Sequence, residues 1–77
     1  MSAQPITYAF HYKQYAPNPC VIGNIIWDQN LCFDQAYVDA NPSVLESIDC
    51  VYFDPIMAWE VKYHETCLNG CSAGACL

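Results

Sequence analysis

The residues of this chain that could do chemistry are six cysteines, two histidines and eight carboxylates, with two lysines and no arginine beside them. The cysteines are Cys20, Cys32, Cys50, Cys67, Cys71 and Cys76. In the tail, His64, Cys67, Cys71 and Cys76 space as H-x2-C-x3-C-x4-C. Four soft ligands so close in sequence could hold a tetrahedral zinc ion. That reading lacks a paired C-x2-C knuckle and leaves Cys20, Cys32 and Cys50 as an odd set. Disulfides use all six. An even count in a short chain reads as a covalent framework in an oxidising compartment. We therefore expect three bridges, no metal, no cofactor and no cysteine nucleophile. The tail is poor in apolar anchors, so each of Cys67, Cys71 and Cys76 is expected to bond to one of Cys20, Cys32 and Cys50. That leaves six of the fifteen possible pairings open.

The histidines raise a second possibility. His11 and Lys13 lie on the polar face of one strand-like segment, and Glu60, Lys62 and His64 on the polar face of another. If the two segments were neighbours in one sheet, a carboxylate flanked by two histidines could do acid–base work. The plainer reading is that half-buried strands carry polar residues on their outer faces, and we adopt it. No serine sits in a nucleophile elbow, the acids form no calcium loop, and no glycine-rich phosphate loop is present. The chain is read as a non-enzyme with no catalytic residues.

The aromatic residues are the remaining signal. They make up 14% of the chain: six tyrosines, three phenylalanines and two tryptophans. That is more than a small core obviously absorbs, and Trp and Tyr are enriched where proteins touch partners. Trp59 alternates with Met57 and Val61 and reads as core. Trp27 ends an apolar run beside the polar Asp28-Gln29-Asn30 and is the principal surface candidate. Tyr15 and Tyr37 are the secondary ones.

The elements that must position these groups read as strands. Residues 6–13 alternate, with Ile6, Tyr8, Phe10 and Tyr12 against Thr7, Ala9, His11 and Lys13, which is the period of a half-buried strand. Two prolines, Pro17 and Pro19, end it. Residues 20–27 are apolar on both faces and read as a central strand, with Gly23 marking a bulge or a close backbone approach. Residues 31–38 read as strand or irregular. One short helical turn follows near 43–48. It is capped either by a Ser43–Glu46 box or by Asn41 with Pro42 at the first helical position. Residues 48–53 form another strand, stopped by Asp54-Pro55, and 57–64 the clearest one after the first. The expected fold is a single domain, 1–77. It is mainly β, a compact antiparallel sheet of four or five short strands with one short helix and a C-terminal tail pinned by disulfides.

Size and charge bound the function. Seventy-seven residues bury a small fraction of their surface. Ordering costs of about 1.5 kcal/mol per residue roughly cancel apolar burial at this length, so the bridges are needed. A formal net charge of −6 lacks the basic footprint of a nucleic-acid binder and disfavours anionic membranes. No stretch is long enough to insert in one. The N-terminus carries no signal segment, and the cysteine density favours a mature secreted chain from which one has been removed. In cysteine density and size the chain resembles the small cysteine-rich proteins that fungi export: effectors, toxins and antifungal proteins. The antifungal members of that class are typically basic, and this chain is acidic. The resemblance implies a secreted, extracellular binding protein, effector-like or toxin-like, that recognises a protein on a host or competitor cell surface. The alternative is a carbohydrate-binding module that stacks glycans on aromatic rings.

Overall fold

The computed structural model describes residues 5–53 and 57–77. The chain forms β1 (Thr7–Gln14), β2 (Gln29–Asp34), α1 (Gln35–Ala40), β3 (Ile48–Phe53), β4 (Ala58–Cys67), β5 (Cys71–Ser72) and β6 (Ala75–Cys76). Two 3₁₀ turns lie at Ile22–Asn24 and Pro42–Leu45. Strands β1 to β4 make an antiparallel sheet in the order β2-β1-β4-β3, and β5-β6 is a separate hairpin. The mainly β, disulfide-stapled fold expected from the sequence is the fold observed.

Both faces of the sheet are covered. Register assigns the sides: His11 of β1 lies opposite Tyr63 of β4 and Asn30 of β2, while Phe10 lies opposite His64 and Leu31. The first face carries Ala9, His11, Trp59, Val61, Tyr63 and Cys67. Over it lies the segment 15–27, whose Ala16 and Ile25 bury against Val61, with Trp27 and Trp59 packed on the cluster. The second face carries Tyr8, Phe10 and Phe33. Over it cross α1 and the Pro42–Leu45 turn on their way from β2 to β3. There the Tyr8 hydroxyl donates to Gln35 Oε1 at 2.7 Å, and Lys62 Nζ donates to the Ser43 carbonyl at 2.9 Å.

Four sequence expectations change. Ala9 and His11, expected on an open polar face, are buried because the covering segments reach them. Residues 20–27 are no strand; the segment holds a 3₁₀ turn and serves as a lid on the first face. An apolar run alone does not distinguish a buried strand from a covering loop. Gly23 meets no close neighbour; the close approach is at Gly74, against the backbone of Asn30. Residues 31–38 split between the end of β2 and α1. Asp34 caps that helix by accepting from the Tyr37 N–H at 2.8 Å, as N-terminal acids do. Of the two starts foreseen for the next turn, Asn41 with Pro42 at the first position is the one observed, although the Asn41 side chain donates to the Tyr37 carbonyl and makes no cap bond. The stop at Asp54-Pro55 lies outside the described residues.

All six cysteines are bridged: Cys20–Cys50, Cys32–Cys71 and Cys67–Cys76. The expectation that every tail cysteine reaches the Cys20, Cys32 and Cys50 set is wrong for two of the three bridges. The tail partly anchors itself. Gly70 (φ 101°) and Gly74 (φ 79°) turn it into a hairpin, a conformation glycine adopts without penalty. Cys67–Cys76 then closes a separation of only nine residues, and short loops cost little to close. Cys20–Cys50 fastens the covering segment to β3.

The end of that segment is latched by charge. Asp28 accepts from Lys13 Nζ at 2.8 Å and from the Gln14 N–H at 3.0 Å. The Lys13 hydrogen bond first, then the Gln14 amide, holds the Asp28 carboxyl below the ordinary carboxylate value. A carboxylate depressed in the folded state stabilises above its unfolded pKa of about 3.9 and loses that contribution as pH falls through the folded value. Asp28→Asn is therefore expected to be less stable than the parent in urea titrations at pH 7. The difference should narrow as pH falls below about 3.9 and through the lower folded value, as the carboxyl is protonated. A gap unchanged at pH 2 would show that the ion pair is not its cause.

Candidate binding surface

His11 sits at the centre of the first face and is 9% exposed. Its Nδ1 lies 2.7 Å from Asn30 Oδ1 and its Nε2 3.4 Å from Glu65 Oε2. An amide oxygen only accepts, so Nδ1 carries the proton toward Asn30. The imidazole stacks on Tyr63 at 5.7 Å and lies 5.5 Å from the Trp27 ring; Trp27 and Tyr63 are themselves near-parallel, 16° apart at 6.4 Å. Three strands and the covering segment thus meet on one imidazole. Among the described residues no cavity opens beside it, so the arrangement acts as a clamp that seats Trp27.

The two histidines do not share a face. β1 and β4 are neighbours, as the acid–base idea required, but His11 pairs with Tyr63 and His64 with Phe10. His11 and Lys13 therefore point to one side, and Glu60, Lys62 and His64 to the other. The Cys67, Cys71 and Cys76 sulfurs of the H-x2-C-x3-C-x4-C run are taken up in bridges, which removes the thiolates a zinc site would need.

The three expected binding aromatics are not brought together. Trp27 is half-buried against the core. Tyr37 is exposed, yet it stacks flat on Phe33 at 4.7 Å, on the opposite face. Tyr15 is the one that stands free, 62% exposed at the end of β1.

Tyr15 belongs to a surface that sequence reasoning missed. The Ala16 N–H donates to the Trp59 carbonyl at 2.9 Å, which sets Tyr15 beside the β3–β4 hairpin. In that hairpin Tyr52 pairs with Trp59 and their rings meet edge to face at 5.4 Å. Met57, one residue before β4, is 75% exposed, and Tyr52 is 45% exposed. Tyr15, Cys50 and Met57 all take left-handed backbone conformations, with φ 62°, 47° and 52°. Such conformations are uncommon for bulky residues and concentrate at contact and catalytic sites. Neither lysine joins this end freely: Lys13 is held by Asp28, and Lys62 by Ser43 and the Phe10 ring. Nearby, partial burial and then the charges of Glu60 and Asp28 push the Tyr12 hydroxyl above its usual pKa, so it stays a neutral donor. Two strand readings separated by Asp54-Pro55 imply a hairpin tip, and that signal places Met57 on it. Nothing in the one-dimensional pattern places Tyr15 there as well.

No protein-family model, characterised protein or solved structure matches this chain.

Proposed function

We propose that this is a secreted, extracellular binding protein that recognises a protein partner through the apolar end formed by Tyr15, Tyr52 and Met57, without turning over a substrate. The carrying observation is the coincidence at one end of exposed apolar side chains with three left-handed residues. Exposing such side chains gains a monomer nothing, since apolar burial is favourable, and exposed apolar patches mark contact surfaces. Three disulfides are typical of extracellular proteins, and no helix among the described residues is long and apolar enough to cross a membrane. The separation of the two histidines onto opposite faces supports contact rather than acid–base chemistry.

Asparagine tolerates the left-handed region, so Tyr15→Asn and Met57→Asn remove the apolar groups without backbone strain. Both variants are expected to keep the parent circular dichroism and melting temperature. Photo-crosslinking to cell-surface protein should fall at least tenfold. A glycan ligand would instead use the near-parallel Trp27 and Tyr63 rings. Retained crosslinking in both Asn variants, together with glycan-array binding that Tyr63→Ala abolishes, would replace the protein-partner reading with the carbohydrate one.

A further inference from the structure

The sheet has two outer strands, and they are built differently. On β3 the pairing with β4 slips between Ile48 and Val51, Cys50 is left-handed, and a disulfide ties that residue to the covering segment. Bulges of this kind blunt an edge against further pairing. β2 has no register slip and no left-handed residue, and its disulfide, Cys32–Cys71, ties it to the tail hairpin. Its six residues, Gln29–Asp34, pair with β1 in unbroken register. It contains no proline and no lysine. The 3₁₀ and α segments that follow cross the second face rather than the edge. Among the described residues, no backbone group outside β1 hydrogen-bonds to the backbone of the strand; the Gly74 and Tyr37 N–H groups reach only the Cys32 and Asp34 side chains. A strand edge left in this state is a template for another strand.

β2 is also held rigid. Asp28–Lys13 latches one end, the Asp34 cap on α1 the other, and Cys32–Cys71 the middle. A preformed edge avoids the ordering cost that a flexible one meets on binding.

The surroundings specify what fits. On the second face the edge presents Leu31, 45% exposed, beside the Phe33–Tyr37 stack. On the first face it presents Asn30 and Asp34. Six of the eight acids, from Asp28 to Asp54, fall in residues 28–54, a segment without a lysine, arginine or histidine. A second copy of the chain would bring another charge of −6 against this segment, with both lysines already engaged, so self-pairing is opposed. A cationic strand is favoured.

We propose that the free edge of β2 binds an extended segment of a partner protein that alternates apolar and cationic side chains, the apolar ones beside Leu31 and the cationic ones beside Asp34. Main-chain hydrogen bonds supply the affinity in such strand addition, and alternate side chains supply the specificity. This edge lies across the sheet from β3 and is independent of the Tyr15–Met57 surface.

The test uses the whole disulfide-bonded chain, labelled for NMR, and an alternating valine–lysine decapeptide. Amide shifts and slowed hydrogen exchange are expected at alternate residues of Gln29–Asp34. The same peptide N-methylated at alternate residues keeps its charge but loses its donors, and should bind at least tenfold more weakly; a valine–glutamate peptide should not bind. Leu31→Lys and Gln29→Lys, both at exposed positions, should each weaken binding at least tenfold. Asp34→Asn, which preserves the helix cap, should weaken it about threefold. Equal binding by the N-methylated peptide, shifts centred away from β2, or no effect of both lysine variants would overturn the proposal. So would slowed β2 amides in the peptide-free protein that sharpen with concentration, which would give the edge to a second copy. Tyr15→Asn should leave all of these results unchanged, so failure of the strand site is distinguishable from failure of the hairpin-end surface.

Discussion

Excess reductant is expected to unfold the domain at 37 °C, with loss of the far-ultraviolet β signal and of tertiary packing. The reason is the size of the core. Among the described residues the buried apolar ones are Ala9, Phe10, Ala16, Ile25, Val38, Ala58, Val61 and Cys67, and of these Val61 and Cys67 are the largest that are fully buried. The principal-axis extents of 51 × 25 × 14 Å describe a slab little thicker than one pair of packed layers, which sit about 10 Å apart. Such a slab cannot offset chain entropy by burial alone. The bridges restrict the unfolded chain instead. Their separations are 30, 39 and 9 residues, worth about 3.6, 3.9 and 2.6 kcal/mol in the loop-entropy treatment. Their sum approaches the whole stability of a small domain. The order also predicts single-bridge effects: removing Cys32–Cys71 as a Ser pair should cost more than removing Cys67–Cys76. A β signal that survives full reduction, verified by mass, would show that the core suffices.

The second large effect is expected at Gly74. A Cβ there would fall 2.6 Å from the Asn30 carbonyl carbon and 2.9 Å from its Cα, at a φ of 79° that side chains rarely adopt. Asn30 is also the residue that holds His11. Gly74→Ala must therefore displace either the tail hairpin or β2, and should destabilise by about 3 kcal/mol. For a domain of this length that corresponds to a fall in melting temperature of roughly 12–24 °C. Gly23→Ala is the matched control. It meets nothing within 4 Å, and replacing glycine where the backbone is unstrained is neutral or stabilises by up to about 1 kcal/mol. Thermal denaturation of the two variants side by side decides it; equal melting temperatures would mean that the tail yields without cost.

Some of the molecule follows from the sequence alone, because the information is local. Alternation over 6–13 and 57–64 marks β1 and β4. Aromatic and β-branched residues mark 48–53, and the Asn41-Pro42 pair starts the second 3₁₀ turn. Cysteine number implies full bridging. The strands and the turn rest on neighbours one to four residues apart, and the bridging on composition alone. The signals for α1, Asp34 as its cap and the Gln35–Asp39 pair at i,i+4, are local too, but residues 31–38 read in sequence as strand or irregular.

What the tertiary structure alone decided depends on register and on what covers each face. Side chains alternate with period two, so the register of β1 against β4 determines whether His11 joins His64 or Tyr63. The sequence of either strand carries no record of that choice. The same holds for residues 20–27. Their apolar character says only that they are buried against something, and the four-stranded sheet, whose first face needs a lid, makes them a cover rather than a strand. The disulfide partners follow from how the tail turns at Gly70 and Gly74. The hairpin-end surface exists because one hydrogen bond, from Ala16 to Trp59, carries Tyr15 to residues more than 35 positions away in the chain. Composition and period determined that this protein is a small bridged sheet with aromatic side chains to spare. Only long-range pairing decided where those side chains emerge, because a contact between distant residues depends on the whole path of the chain between them.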